Sequence, residues 1–448
     1  MRRDLIVVLI VSALSLWQNL DAVDRTPFHP DETRWLNRAH YLAALRDPLG
    51  ENWTDYFLTR GQPPGGSYLM GLGLLVQGRD LSPNGVWHFS YGGSWNLAQG
   101  NVPSQADLDA GRRTNSVAGA LTVGIVYLLV RRLTNRLGGL VAALTLAFHP
   151  LMIALSSQAL SDVLLVLLVA AAALAATCLA DRPSWPRALL LGAVLGLGGA
   201  TKLGPLLLTV PLAVLGGLLL ASPRISWLRQ RLGVGPNVRR LGERLLPLPA
   251  VGFATFVLVY PYLWPDPLVR TYRLFAFRSR EMTMQGTYWP EIAVDGRVEA
   301  AVQVWHRLGR EYSLVGRLGL DRLAGADLAV AVAGLAVFVW LIVRGGLAGR
   351  QAVAGVILFG QTALVLGGLR VDFARYYLPL VLTVAVGTGV FAGFLGDGVM
   401  RLVPAVSAPT FGRTAAKAGW EGVHPPGREV VASGAEGTGS AGSGVEAR

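Results

Sequence analysis

Residues 163–180 read VLLVLLVAAAALAATCLA. Not one of these residues is charged, and at helical spacing no face of the run is polar. At ~1.5 Å per residue such a helix is ~27 Å long, close to the ~30 Å hydrocarbon layer of a bilayer. The stretch predicts a membrane span, and it sets how the rest of the chain is read.

Working outward, comparable runs recur at about 5–20, 114–130, 138–156, 159–180, 187–201, 204–221, 247–264, 327–343, 351–368 and 376–396, which makes ten expected spans. Composition agrees. The chain of 448 residues is 52% hydrophobic and only 15% charged, with a mean hydropathy of +0.44. Ordinary soluble domains carry roughly 25% charged residues. The short alternating segments of a membrane β-barrel are absent from the sequence. The expected fold is an all-α polytopic membrane protein. Gly204-Pro205 interrupts the stretch 187–221, because proline disfavours a continuous helix. Two short or tilted helices are expected to meet at ATKLGP.

The net charge of +12 does not imply nucleic acid, because the arginines lie mostly between apolar runs. With the N-terminus placed in the cytoplasm, Arg131, Arg132 and Arg136, then Arg182 and Arg187, then Arg224 to Arg244, then Arg344 and Arg350 all fall on the inner side, as the positive-inside rule requires. Both termini are then cytoplasmic. A transmembrane domain is expected over 1–396, with outer loops at 24–113 and 265–325. GGSYLMGLGLLVQG, within the first loop, is too short to span and suits a helix lying at the interface. A cytoplasmic tail over 397–448 ends in low-complexity sequence that suits disorder. The single cysteine, Cys178, excludes an internal disulfide.

The unusual polar residues gather on the outer side of this topology. FHPDETRW (28–35) places Asp31 and Glu32 together just past the first span. A carboxylate there suits a general base, with its neighbour binding an acceptor or a metal. The plainer account is a solvated helix start, where acids are favoured. Asp162 opens the span that contains the quoted run, and a helix-dipole role competes with substrate binding there. Lys202 and Lys417 are the lysines of a chain that otherwise uses arginine. A lysine between two apolar helices suits a phosphate, though snorkelling to the interface would also place it there. VDFARYYLPL brings Asp372, Arg375 and Tyr376 to the start of the last span, as a grip on an anionic head group or as boundary residues. Ionisable groups near spans are costly and usually serve a site. No P-loop, dinucleotide fingerprint or zinc spacing is present in the sequence.

These motifs, in this order, resemble the GT-C glycosyltransferases, specifically the protein O-mannosyltransferase and aminoarabinose-transferase group. The resemblance covers about residues 1–396. It rests on HPDE (29–32), QPPGGSYLMGLGLL (62–75), RRTNSVAGALTVGIVYLLVRRL (112–133), ALSDVLLVLL (159–168), LGLGGATKLGP (195–205) and RYYLPL (375–380). It implies a multi-pass enzyme of the cell membrane that transfers a hexose or pentose from a polyprenyl-phosphate carrier to a hydroxyl of a protein, lipid or glycan at the outer face. Asp31 would be the base, with Lys202 and Arg375 at the lipid phosphate. A divalent cation is compatible with this reading, and no nucleotide is required. Gln62 stands where the family often has histidine before the double proline. The alternative is a polytopic transporter or lipid flippase, which calls for ionisable groups near mid-membrane and usually for internal repeats.

Overall fold

The computed structural model describes residues 2–222 and 236–402. The chain divides into two units, Met1–Arg401 and Leu402–Arg448. The expected tail from residue 403 onward lies outside the described residues, as do Arg224, Arg229 and Arg231.

The first unit is helical. Its principal helices are α1 (Arg2–Val23), α2 (Pro30–Asn37), α3 (Gly65–Val76), α4 (Gln105–Leu133), α5 (Arg136–Phe148), α6 (Pro150–Ser156), α7 (Asp162–Asp181) and α8 (Trp185–Gly199). They are followed by α9 (Gly204–Ala221), α10 (Pro236–Leu258), α11 (Pro267–Tyr288), α12 (Ala326–Gly345), α13 (Arg350–Gly368) and α14 (Leu378–Leu402). Among the described residues there is no strand, only an isolated antiparallel bridge between Ala293 and Val371. The protein is an all-α polytopic membrane protein, as expected.

The count of ten spans is not reproduced. Among the described residues, eight helices are long and apolar enough to cross a membrane, or nine if α5 and α6 form one bent span. The expected span at 138–156 bends by 60° between Phe148 and Pro150. Proline cannot donate the helical hydrogen bond and clashes with the preceding turn, so α5 ends there and α6 starts afresh on Pro150. The segment expected at 187–201 becomes α8, whose 15 residues extend only ~22 Å. The expected meeting of two helices at ATKLGP is observed. α8 closes at Gly199, residues 200–203 turn, and α9 starts at Gly204.

α4 and α7 form the centre. α4 packs on α1, α5 and α7, and α7 packs further on α8 and α13. Ser104 caps α4, its Oγ accepting from the Asp107 N–H at 3.2 Å. The outer surface is apolar where a soluble protein's would be polar. Leu5, Ile6, Leu9, Ile10 and Trp17 all stand exposed on α1, and the best apolar window of the span Asp321–Gly345 is only 17% buried. Such a surface suits hydrocarbon rather than water.

Two glycines bring the site-bearing segment close to this core. A Cβ at Gly111 of α4 would come within 2.7 Å of Leu36 Cδ2, and one at Gly66 of α3 within 2.6 Å of Trp35 Cζ3 and of Ser161 Cβ. α2 therefore packs against α3 and α4 so closely that a side chain at either glycine would make its neighbours shift.

Candidate active site

α2 is built by the sequence His29-Pro30-Asp31-Glu32. Pro30 supplies a preset φ for a first helical position. His29 caps the helix, with its Nδ1 accepting from the Asp31 N–H at 3.1 Å and its own N–H donating to Glu32 Oε2 at 2.9 Å. Adjacent positions on a helix point about 100° apart. The two acids therefore face different surroundings.

Glu32 turns inward and is fully buried. Arg112 of α4 grips it with a two-pronged contact, Nε to Oε1 and Nη2 to Oε2, both at 2.8 Å. The Ala159 N–H adds a third bond to Oε1 at 2.8 Å. Arg112 also donates to the carbonyls of Val23, Thr26 and Pro27 at 3.3, 2.9 and 3.1 Å. One guanidinium thus ties the end of α1, the connecting loop and the start of α2 into α4. The expectation that Glu32 binds an acceptor or a metal does not fit this geometry, because both of its oxygens are occupied within the protein and neither reaches the surface.

Asp31 faces outward, with 18% of its side chain exposed. It forms an ion pair with Arg375, which lies 344 residues further along the chain. The His29 ring stands beside it, Nδ1 to Oδ2 at 3.8 Å. Burial pushes the His29 pKa below its ordinary value and the nearby Arg375 adds to that effect, which favours a neutral imidazole at pH 7.

Arg375 leads to the remaining predicted residues. Its guanidinium stacks over the rings of Phe373 and Tyr376, at 5.2 and 5.5 Å from their centroids. Tyr376 also lies 5.9 Å from the Lys202 ammonium, so one ring is within reach of two cations. Lys202 in turn forms an ion pair with Asp162. Tyr376 Oη donates to Gln285 Oε1 of α11 at 3.2 Å. Asp31, Arg375, Tyr376, Lys202 and Asp162 therefore form one continuous chain of contacts. It draws on α2, the stretch before α14, the α8–α9 turn and the first turn of α7.

Two residues hold this arrangement without joining it. Asp372 is taken by Arg307 of the segment between α11 and α12, at 3.0 Å from Nε and 2.9 Å from Nη2, and by Tyr377 Oη at 2.7 Å. Those bonds fix the segment that carries Arg375 and Tyr376. Arg112 was not singled out in the sequence, where it reads as one more boundary arginine beside Arg113.

Among the described residues, no group of three or more His, Cys, Asp or Glu side chains is placed to hold a metal ion. A crevice of about 540 Å³ lies elsewhere, between Gln18, Val141, Leu144, Thr145, Phe148 and the segment Leu314–Leu318, and none of the five linked residues lines it.

The resemblance drawn from the sequence holds in comparison with known proteins. The model of the dolichyl-phosphate-mannose-protein mannosyltransferase family matches residues 102–235, which include Arg112, Asp162 and Lys202. No curated protein sequence matches the chain. The fold is similar to that of the oligosaccharyltransferase of Archaeoglobus fulgidus, crystallised with a tethered acceptor peptide. The TM-score is 0.52 at 13% identity, over 89% of this chain and 50% of the other. The overlap with ArnT of Cupriavidus metallidurans, bound to undecaprenyl phosphate, has a TM-score of 0.47 at 15% identity, over 88% and 63% of the two chains. This chain spans about half the length of the oligosaccharyltransferase it matches.

Proposed function

We propose that this protein is an integral membrane glycosyltransferase. It moves a sugar from a polyprenyl-phosphate carrier to an acceptor hydroxyl at the outer face of the cell membrane. The observation that carries this reading is the linked set Asp31–Arg375–Tyr376–Lys202–Asp162, one outward carboxylate joined through an aromatic ring to two cations. The family match, whose description names a dolichyl-phosphate-mannose donor, supports a carrier of that chemistry.

The reaction assigns a part to each residue. The acceptor oxygen attacks the anomeric carbon as Asp31 takes its proton. The bond from that carbon to the phosphate oxygen breaks, and its electron pair stays on the lipid phosphate. Arg375 and Lys202 stabilise the charge that develops there, the kind of contribution that is usually the largest in catalysis. Tyr376 holds the two cations at one spacing, and Asp162 orients Lys202. Glu32 is a positioning residue. Its buried pair with Arg112 sets the direction in which α2 presents Asp31.

The test of the activity is sugar release from a radiolabelled polyprenyl-phosphate donor by the purified protein. Donor that stays intact with every acceptor fraction of the cell envelope would refute the reading. Within that assay, Lys202→Met should raise the donor KM by about tenfold, the loss of roughly one charge-assisted bond of ~1.5 kcal/mol. Lys202→Arg should retain most donor use, because the charge remains. An unchanged donor KM in the methionine variant would leave Lys202 as an interfacial cation only.

The orientation follows the charge asymmetry. In a Cys178→Ala background, Asp295→Cys should react with an impermeant thiol reagent in intact cells, and Arg239→Cys should react only after lysis. The reverse pattern would place the site on the inner face.

A further inference from the structure

We propose that the loop around Tyr91 and Trp95 is a docking platform for a neutral, glycan-type acceptor. This deepens the transferase reading and rests on it for the word acceptor. From Leu81 to Val102 the chain carries no Asp, Glu, Lys or Arg, yet it holds Trp87, His88, Phe89, Tyr91 and Trp95. The Tyr91 and Trp95 rings stack with centroids 4.1 Å apart, and His88 packs 4.8 Å from Tyr91. Tyr91 and Phe89 nevertheless remain 50% and 59% exposed. The core does not use these rings.

The loop is built to hold them still. Asn96 is fully buried, and its Oδ1 accepts from the His88 N–H at 2.8 Å. Its Nδ2 lies within bonding distance of the carbonyls of His88, Tyr91 and Gly92, at 3.1–3.2 Å. Asn101 donates to the same Oδ1 at 3.1 Å. A buried amide that organises an exposed aromatic surface fits preorganisation for a ligand better than it fits packing.

The platform is also fixed to the helix that carries Asp31. The Trp87 N–H donates to Thr33 Oγ1 at 3.1 Å, Asn84 Nδ2 donates to the Thr33 carbonyl at 3.0 Å, and Asn37 Nδ2 donates to the Asn84 carbonyl at 2.8 Å. The Phe28 and Trp87 rings lie 5.7 Å apart. A ligand held on the rings is therefore held relative to Asp31.

The chemistry of the surface selects the ligand class. The negative face of an aromatic ring attracts the C–H face of a sugar, and neutral side chains such as Ser90, Ser94 and Gln99 suit its hydroxyls. An anionic acceptor would call for a cation, and the segment has none. A peptide bound by strand addition would need a free sheet edge, and the described residues offer only the Ala293–Val371 bridge.

The experiment uses the full-length protein in nanodiscs, with linear mannotetraose and maltotetraose as probes. Ligand-detected NMR should show binding of at least one. The double variant Tyr91→Ala/Trp95→Ala should weaken that binding by about tenfold or more, ~1.4 kcal/mol. Trp95→Phe should keep most of it, and Asp31→Asn should bind like wild type, which makes this readout independent of turnover. The platform is overturned if neither probe binds or if the double variant binds equally well. It is also overturned if brominated lipid quenches the fluorescence lost in Trp95→Phe, which would make the loop a membrane anchor. Oligosaccharide binding through the rings in a protein that never consumes donor would instead sink the transferase reading and leave the platform standing.

Discussion

Asp31→Asn should lower sugar transfer by at least ~10²-fold, within the ~10²–10⁴ that general-base help is typically worth. The asparagine amide has the shape of the carboxylate but no oxygen that can take a proton, so the acceptor hydroxyl remains a weak nucleophile. The fold should tolerate the change. Asp31 is partly exposed, and without it Arg375 keeps its contacts with the Phe373 and Tyr376 rings, so the change should cost less stability than breaking the fully buried Glu32–Arg112 pair. Glu32, not Asp31, carries the buried contacts of α2. Expression, melting temperature and donor affinity should therefore stay near wild type while turnover collapses. Turnover close to wild type in well-folded Asp31→Asn protein would remove Asp31 from the reaction. A parallel fall in melting temperature would mean that the residue serves the fold.

The difference between the two acids marks where sequence reading stops. Hydropathy is a local property, so most spans were legible, and Pro150 already held the signal that the span at 138–156 is broken. The linked residues were legible by type and by position along the chain. Lys202 stood out in an arginine-using chain, and Arg375 and Tyr376 stood at the edge of the last span. Pairing was not legible. Asp162 and Lys202 read as separate ligands, yet they form an ion pair with each other across 40 residues. Arg112 gave no sign of its role, because an arginine at the start of an apolar run is what membrane topology produces anyway. Its partner lies 80 residues earlier in the chain, and no local pattern links the two. Asp31-Glu32 read as two acids facing the same site, whereas the helix turns one toward Arg375 and the other into the buried contact with Arg112.

That division yields the second large effect. Arg112→Ala should abolish most transfer and lower the melting temperature, although Arg112 touches none of the five linked residues in the described contacts. Arg112 is 2% exposed and Glu32 is fully buried. Removing the guanidinium leaves a buried carboxylate without its counter-charge, and breaking such a pair costs ~3–5 kcal/mol. It also frees the Val23, Thr26 and Pro27 carbonyls that hold the loop into α2. An error of ~1 Å in the position of a reacting group can cost ~10²-fold. Glu32→Gln also leaves a buried charge, the guanidinium, without its counter-charge, but it should be milder, because Arg112 keeps its three carbonyl acceptors and the amide oxygen can still accept from a backbone N–H. Adding Glu32→Gln to Arg112→Ala should therefore restore part of the melting temperature, since the orphaned charge is gone, but little of the turnover, since the loop remains untied. Restoration of both together would make the pair a matter of stability alone, and an unchanged melting temperature in Arg112→Ala would deny that the guanidinium holds α2 in place.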